Sequence, residues 1–286
     1  MTYLTLHVSD SAYPALLKQI PNPPKTLYVR GTLEPNEICF TIVGTRKPTS
    51  YGIETAKLFA TQLSQAGFTI VSGLAFGIDA IAHQATLAAG GRTIAVLGSG
   101  VDIITPVTNQ HIGEQIIERG ALVSEFLPGT AAQKNHFPQR DRIMSGLSIG
   151  TLVIEASGQS GALITARNAT EQGREVFAIP GQIFSHASQG AHKLIQEGAK
   201  LTQTIDDILC EFEQLHLFAN KIAHGSSRKT NENEQKILAC LTEPKTLDII
   251  AQETHIAIQE LKTAITMLEL TRKIAKQPDG CVRRIV

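Results

Sequence analysis

Aromatic residues and cysteines are scarce in this sequence. Of its 286 residues, 5% are aromatic, tryptophan is missing, and the four cysteines lie far apart at Cys39, Cys210, Cys240 and Cys281. Because no two of them form a Cys-x-x-Cys pair, their spacing argues against a disulfide framework and against a zinc site, and no metal or cofactor is expected. Scattered thiols of this kind are typical of proteins that work in a reducing compartment.

Long apolar runs and a surplus of one charge are also missing. No stretch of about eighteen apolar residues is available for a membrane span, and the amino end has neither the basic start nor the apolar run of a signal peptide. We therefore expect a cytoplasmic protein. Lysine plus arginine number 26, and so do aspartate plus glutamate. A protein that covers nucleic acid with its whole surface is usually basic, so any anion site is expected to be local.

Apolar runs of strand length alternate with amphipathic runs of helix length through the middle of the chain. This pattern predicts strands at 38–44, 68–73, 92–100, 121–126, 151–157 and 174–181, with helices at 51–67, 77–91, 109–120, 163–173 and from 141 onward. Strands that are apolar throughout and separated by helices are typical of a parallel sheet with both faces covered. The sequence thus predicts a doubly wound α/β domain, whose ligands bind outside the carboxyl ends of the strands.

Changes in composition divide the chain into four predicted parts. Residues 1–36 are predicted to be an irregular N-terminal extension with three prolines close together and a short strand-like segment, TLYVRG, and residues 37–218 to be the Rossmann-like α/β domain. The polar residues 219–229 contain Gly-Ser-Ser and favour a linker. Residues 230–286 combine three helical segments with two short strands around a Pro-Asp-Gly turn, which is typical of a small winged-helix-like domain.

The first candidate site follows the predicted strand 38–44, in the segment IVGTRKPTSYG. Gly44 permits a tight turn, and Thr45, Arg46 and Lys47 come between the strand and the next helix. Free N–H groups at the start of a helix attract anions, and the planar guanidinium of Arg46 suits phosphate. The second and third glycines of the dinucleotide fingerprint are missing. An ordinary turn with a surface arginine is the alternative.

The second candidate site is the segment 133–148, in which basic residues flank one aromatic ring. Its candidate residues are Lys134, Phe137, Arg140 and Arg142. A single nucleic-acid strand is held by cations that bind its phosphates and by rings on which its bases stack. The alternative is that Phe137 belongs to the core and that the charged groups pair with Asp141 and Glu155.

The third candidate site is a Gly/Ser loop followed by a helix, with Ser160, Gly161 and Arg167 as its candidate residues. Such a loop can form a second anion-binding nest. Related folds that cleave nucleoside monophosphates carry the motif P-G-G-x-G-T-x-x-E. Aligning Gly161 with its Gly-Thr pair puts Thr165 at the position of the catalytic glutamate. The missing carboxylate argues against an enzyme, and binding or hydrolysis of a nucleotide or nucleoside monophosphate is the alternative function.

Six segments carry a family resemblance. They are IVGTRKPTSYG, VSGLAFGIDAIAH, GGRTIAVLGSGVD, HFPQRDRIMSGLS, VIEASGQSGALITARNATEQGREVFAIPG and GAHKLIQEGAKL. In order and spacing, from about Tyr13 to Leu209, they are similar to the DNA-processing protein A family (DprA, also called Smf). The resemblance implies an extended Rossmann-like domain that binds DNA through the positions of Gly44, Thr45, Arg46, Lys134 and Phe137.

The same resemblance implies a function. It points to a non-catalytic single-stranded DNA-binding protein of natural transformation, which protects incoming strands and helps to load RecA recombinase onto them. The implied partners are single-stranded DNA, RecA recombinase, single-strand binding protein and a second copy of the chain in a homodimer.

Three departures from the family pattern bear on binding. Thr45 replaces a serine and keeps the hydroxyl group. Phe76 stands where a basic residue is common, so a cationic contact is lost or is replaced by stacking. Asp141 stands between Arg140 and Arg142, and it is expected to weaken phosphate contacts if it faces the groove.

The predicted wing is basic. Its candidate contacts are Arg272, Lys273, Lys276, Arg283 and Arg284, opposed by the single acidic Asp279. A basic wing favours contact with duplex DNA, and contact with a protein is the alternative. A further hypothesis is a sensor, in which the sheet edge binds a nucleotide and the C-terminal domain acts on DNA.

Overall fold

A computed structural model of the chain describes residues 2–215, 232–241, 244–254, 256, 261, 264, 265, 268, 274–276 and 282–284. The chain divides into two units, Met1–Gly225 and Ser226–Val286.

The described part of the N-terminal unit contains nine strands and eight α-helices. The strands are β1 Leu4–His7, β2 Thr26–Gly31, β3 Cys39–Gly44, β4 Thr69–Ser72, β5 Thr93–Val96, β6 Ala121–Ser124, β7 Ser148–Ile154, β8 Glu175–Ala178 and β9 Lys200–Leu201. The helices are α1 Ala15–Lys18, α2 Ser50–Gln65, α3 Ile78–Ala88, α4 Gln110–Arg119, α5 His136–Leu147, α6 Ala162–Glu171, α7 Gln189–Gln196 and α8 Ile205–Leu209. Short 3-10 helices lie at Val107–Asn109, His186–Ser188 and Cys210–Leu215.

The nine strands form one sheet in the order β1-β2-β6-β5-β4-β3-β7-β8-β9. The seven strands from β6 to β9 in this order pair in parallel. Strands β3 to β6 follow one another outward on one side of β3, whereas β7 pairs with the other side of β3. The strand order therefore reverses between β3 and β7, and a crevice is expected outside their carboxyl ends. The predicted doubly wound α/β fold is confirmed.

The two faces of the sheet have separate cores because side chains alternate along each strand. Phe40 and Ile42 of β3 face the core under α2, α3 and α8, whereas Cys39 and Val43 face the core under α1, α5, α6 and α7. On the first face the rings of Phe40, Phe68, Phe177 and Phe212 pack edge to face or tilted, with centroids 5.5 to 6.3 Å apart.

The N-terminal segment differs from the irregular extension predicted for residues 1–36. The predicted strand-like segment TLYVRG is confirmed as β2, which pairs antiparallel with β6, and β1 joins the sheet by pairing antiparallel with β2. Tyr13 and Leu17 are buried, and the Tyr13 hydroxyl donates a hydrogen bond to the Pro24 carbonyl at 2.8 Å. The prolines dominate the local sequence pattern, but these contacts make the segment part of the core of the α/β domain.

Two element boundaries also differ from the sequence prediction. Helix α5 begins at His136, five residues before the predicted start. Pro138 is tolerated in its first turn because proline has no N–H group, and N–H groups in the first turn have no partner within the helix. Strand β7 begins at Ser148 and contains Gly150, where the phenylalanine rings leave no room for a side chain. The earlier start of α5 places Phe137 and Arg140 on a helix.

The C-terminal unit contains the helices Glu232–Cys240 and Leu247–Thr254, and residues 261, 264, 265 and 268 are helical. Strand β10, Ile274–Lys276, pairs antiparallel with β11, Val282–Arg284. Its core includes Ile237, Ile250, Leu261, Ile265 and Val282. These elements confirm the predicted winged-helix-like pattern. The predicted linker 219–229 and the Pro-Asp-Gly turn lie outside the described residues.

Gly150→Ala should destabilise the N-terminal unit by about 1–3 kcal/mol, the usual cost of overpacking a core. A Cβ atom there would lie 2.7 Å from Phe40 Cε2 and 3.1 Å from Phe177 Cε2. Urea unfolding followed by far-ultraviolet circular dichroism measures the change. Gly158→Ala is the matched control, since no heavy atom lies within 4 Å of its Cβ position. Equal unfolding midpoints for the two variants would contradict the packing described.

Candidate nucleic-acid interface

A cavity of about 530 Å³ opens where the strand order reverses. Three segments contribute to it: the loop after β3, the first turns of α5, and the loop that leads into α6. Of the residues expected to bind nucleic acid, it is lined by Gly44, Thr45, Arg46, Lys47, Lys134, Phe137, Arg140, Ser160 and Gly161. The first segment is about ninety residues or more away in sequence from each of the other two. The three candidate segments therefore converge on one cavity through the topology of the sheet.

The loop after β3 is fixed by backbone contacts on both sides. A Cβ atom at Gly44 would lie 2.0 Å from the Ile154 carbonyl oxygen of β7, so only glycine fits there. The Thr45 N–H donates to the Glu155 carbonyl at 2.8 Å, and the Thr45 carbonyl accepts from the Ile78 N–H at 3.2 Å. Arg46 and Lys47 are exposed cations on a loop whose backbone these contacts hold in place.

Glu155 supports the same loop from the end of β7. Its backbone has a positive φ of 46°, and its buried carboxylate accepts hydrogen bonds from the N–H (2.9 Å) and the hydroxyl of Thr49. Thr49 in turn caps helix α2 by accepting from the Gly52 N–H at 3.2 Å. The alternative in which Glu155 pairs with the arginines of α5 is wrong, because the carboxylate is bound to Thr49. Sequence reasoning missed this support, for which the only signal is an acidic residue directly after a buried strand.

Phe137 lies between core and solvent. Its ring is half-buried and packs against Gly98. A Cβ atom at Gly98 would lie only 3.1 Å from Phe137 Cδ1. The guanidinium carbons of Arg46 and Arg140 lie 5.4 and 5.9 Å from the ring centroid. These distances are those of cation–π contacts. The ring is thus held in place and still lines the cavity.

Arg140 is buried beneath the cavity and is 4% exposed. Its guanidinium donates to the Gly73 carbonyl at 2.6 Å, to the Val96 carbonyl at 2.8 Å and to Asp141 Oδ1 at 3.0 Å. A Cβ atom at Gly73 would lie 2.1 Å from Arg140 Nη1, so the guanidinium occupies the space of a missing side chain. Most of its hydrogen-bonding capacity is used within the protein, in contrast to the phosphate contact expected from the sequence.

Two buried carboxylates accompany Arg140. Asp79 accepts from the N–H groups of Gly73 at 3.2 Å and Ala75 at 3.4 Å, so it holds the loop that precedes α3. Burial raises the pKa of Asp79, and it raises the pKa of Asp141 to about 6, although Arg140 opposes both shifts. Asp141 lines the cavity, so its negative charge faces the groove when it is ionised.

Two predicted site residues lie elsewhere. Arg142 donates to Glu125 Oε2 at 2.5 Å and does not line the cavity. Side chains two positions apart on an α-helix point in directions that differ by about 200°, so Arg140 and Arg142 face opposite sides of α5. Arg167 is exposed on α6, where it lines a separate cleft with Glu197 and Gly198.

The wing residues are only partly described. Lys276 lies on β10, and Arg283 and Arg284 lie on β11. Arg272 and Lys273 lie outside the described residues.

Among the residues that the structure describes, no group of three or more histidine, cysteine or acidic side chains could hold a metal ion. No helix among the described residues is both long and apolar enough to cross a membrane. His83 is buried, its Nδ1 lies 2.7 Å from Thr93 Oγ1, and burial lowers its pKa to about 3. His83 is therefore a packing residue of the core.

The chain matches two family models. Residues 4–213 match DNA recombination-mediator protein A, and residues 223–280 match the DprA winged helix domain. The DNA processing protein DprA of Bacillus subtilis (strain 168) is 44% identical over 213 residues, which cover 74% of this chain and 71% of that protein. Protein Smf of Escherichia coli (strain K12) is 38% identical over 283 residues, which cover 95% of this chain and 75% of that protein.

Two solved structures of DNA processing protein A also resemble this chain. The X-ray structure of DprA from Streptococcus pneumoniae superposes with a TM-score of 0.71 at 41% identity and covers 73% of this chain and 74% of that one. DNA processing protein A from Helicobacter pylori, whose structure describes its single-stranded DNA binding mode, has a TM-score of 0.67 at 27% identity and covers 74% and 96% of the two chains. The chain therefore belongs to the DNA recombination-mediator protein A family, DprA or Smf.

Proposed function

We propose that this protein binds single-stranded DNA in the cavity between β3 and β7 and acts in DNA processing during natural transformation. The observation that carries the proposal is the convergence of three exposed cations and one ring on a single cavity. Arg46, Lys47 and Lys134 are exposed, and Phe137 lines the cavity beside them.

The arrangement fits the chemistry of a single strand. Lysine and arginine bind successive phosphates without reading sequence, and an aromatic ring stacks on any base because every base has a π face. The Ser160 N–H is bonded to the Ser157 carbonyl, and the N–H of Gly161, which precedes α6 and lines the cavity, provides a further donor for an anion. Binding is therefore expected to tolerate sequence and to favour single strands, whose bases are free to stack.

Hydrolysis of a nucleotide has less support. Thr165, at the position of a catalytic glutamate in related folds, lines the cavity with a hydroxyl group. The carboxylates that do line it are Asp79 and Asp141, and both are buried and bonded to backbone N–H groups or to Arg140. Neither is placed as a free base, so the proposed function is non-catalytic.

The family resemblance supports a more detailed proposal. In it, the protein works in the cytoplasm, forms a homodimer, protects incoming strands, and helps to load RecA recombinase onto strands that carry single-strand binding protein. The basic strands of the wing supply a further candidate contact for DNA.

Arg46→Glu together with Lys134→Glu should abolish binding of a labelled oligo-dT in fluorescence anisotropy, because two phosphate contacts become repulsive. For the wild type, log affinity should fall with log salt with a slope of about −2, from about 0.7 for each of three phosphates. A duplex of the same length should bind more weakly.

Arg167→Glu is the matched control, since it reverses an exposed arginine that lines a different cleft. It should leave most of the affinity intact. A loss as large as that of the double variant would place the strand outside the cavity.

Phe137→Ala should weaken oligo-dT binding by about 1–3 kcal/mol if the ring stacks a base. The same anisotropy titration measures the loss, and circular dichroism checks the fold, since the ring also packs against Gly98. Unchanged affinity in a folded variant would assign the ring to packing alone.

Affinity for oligo-dT should rise as the pH is lowered from 7.5 to 5.0. The pKa of Asp141 is raised to about 6, so the carboxyl loses its negative charge in this interval. Arg140, Asp79 and Arg46 are the charged groups that act on it.

Asp141→Asn should bind oligo-dT more tightly than the wild type at pH 7.5 and should show a weaker pH dependence. Glu171→Gln, an exposed change on α6, is the control. The interpretation fails if Asp141→Asn keeps the full pH dependence of the wild type.

A further inference from the structure

Phe76 is an exposed ring at the carboxyl end of β4, next to β3 in the sheet. Its side chain is 51% exposed, and no other aromatic ring packs on it within the described part of the chain. A single exposed apolar residue is common in proteins. The surroundings of Phe76 are what set it apart.

The loop that carries Phe76 is braced by buried polar groups. Asp79 holds the N–H groups of Gly73 and Ala75, and the Asn109 side chain donates to the carbonyls of Leu74 at 2.9 Å and Ala75 at 3.2 Å. Leu74 has a positive φ of 55°, which is unusual for a branched side chain. The ring is thus presented on a fixed backbone, and a fixed backbone lowers the entropic cost of binding.

The same loop packs against the loop after β3 that carries Thr45 and Arg46. Gly77 has a φ of 78°, and a Cβ atom there would lie 2.3 Å from the Thr45 carbonyl oxygen and 2.8 Å from Arg46 Cα. The backbone after Phe76 therefore rests directly on Thr45 and Arg46. The backbone that carries Phe76 and the backbone that carries Arg46 are consequently held in a fixed relation to each other.

Phe76 and Phe137 line a second, smaller cleft of about 100 Å³. Gly73 and Gly98 line it without side chains, and Arg46 is the only charged residue among its lining residues. Arg46 and Phe137 also line the main cavity, so the two spaces are neighbours. A group that suits this cleft is flat, uncharged and attached to an anion, and a nucleobase of a strand whose phosphate contacts Arg46 has these properties.

We propose that Phe76 is a second base-stacking platform, so that a single strand bound at Arg46 places one base in the cleft lined by Phe76 and Phe137. The inference rests on the proposed function and adds a subsite and a binding residue to it.

The test compares Phe76→Ala with the wild type in anisotropy titrations of labelled oligo-dT and of an abasic oligonucleotide of equal length. The abasic probe keeps the phosphates and lacks the bases. Phe76→Ala should weaken oligo-dT binding roughly 5- to 150-fold, the range for one stacked base. It should leave abasic binding and the salt slope unchanged, because no charge is altered.

Two further variants make the assignment specific. Phe76→Trp should keep oligo-dT affinity and Phe76→Leu should lose it, since leucine is apolar but has no flat π face. Phe184→Ala is the matched control, because it removes a 94% exposed ring from the loop after β8 that lines neither cavity. It should change affinity less than twofold.

The outcomes separate this inference from the proposed function. If the wild type does not bind oligo-dT, the proposed function fails. If Arg46→Glu with Lys134→Glu abolishes binding but Phe76→Ala changes it less than twofold, only the second platform is rejected. An equal loss for Phe76→Ala on the abasic probe also rejects it, because the ring would then act on the position of Arg46 and not on a base.

Discussion

The buried guanidinium of Arg140 holds together the sheet edge on which the cavity is built. It binds carbonyl oxygens at the ends of β4 and β5 and a carboxylate on its own helix, so α5 cannot shift without breaking hydrogen bonds to two strands. Buried charges are costly unless they are paired and fully hydrogen-bonded. The position of Phe137, one helical turn away on α5, depends on this bracing.

Fixed negative charge lies beneath exposed positive charge in the cavity. Asp79 and Asp141 neutralise part of the field of Arg140, and Arg46, Lys47 and Lys134 remain exposed at the cavity. For the single strand proposed to bind here, affinity would combine phosphate contacts that salt screens readily with stacking that salt affects little.

The sequence predicted the parallel sheet and the main loops well because their signals are local. The apolar runs of β3 and β7 and the glycine after β3 can be recognised from a few neighbouring residues. The burial of Arg140 could not be predicted from the local sequence. Its guanidinium needs the space beside Gly73, which has no side chain, and the carbonyl of Val96 at the end of β5, and both residues are distant from it in sequence. Similarly, β1 is only four residues long, and its place in the sheet depends on pairing with β2, about twenty residues further along the chain.

Arg46 and Phe137 belong to both cavities, and this sharing has a consequence for strand polarity. The two spaces beside Arg46 differ in size and in lining, so they are not interchangeable. A nucleic-acid strand is itself chemically directional, because its sugars connect 5′ to 3′. A strand bound as proposed and turned end for end would present its bases to the wrong spaces, because the loops that carry Arg46 and Phe76 are held by backbone contacts and would not turn with it. The proposed mode of binding therefore implies a single direction of the strand.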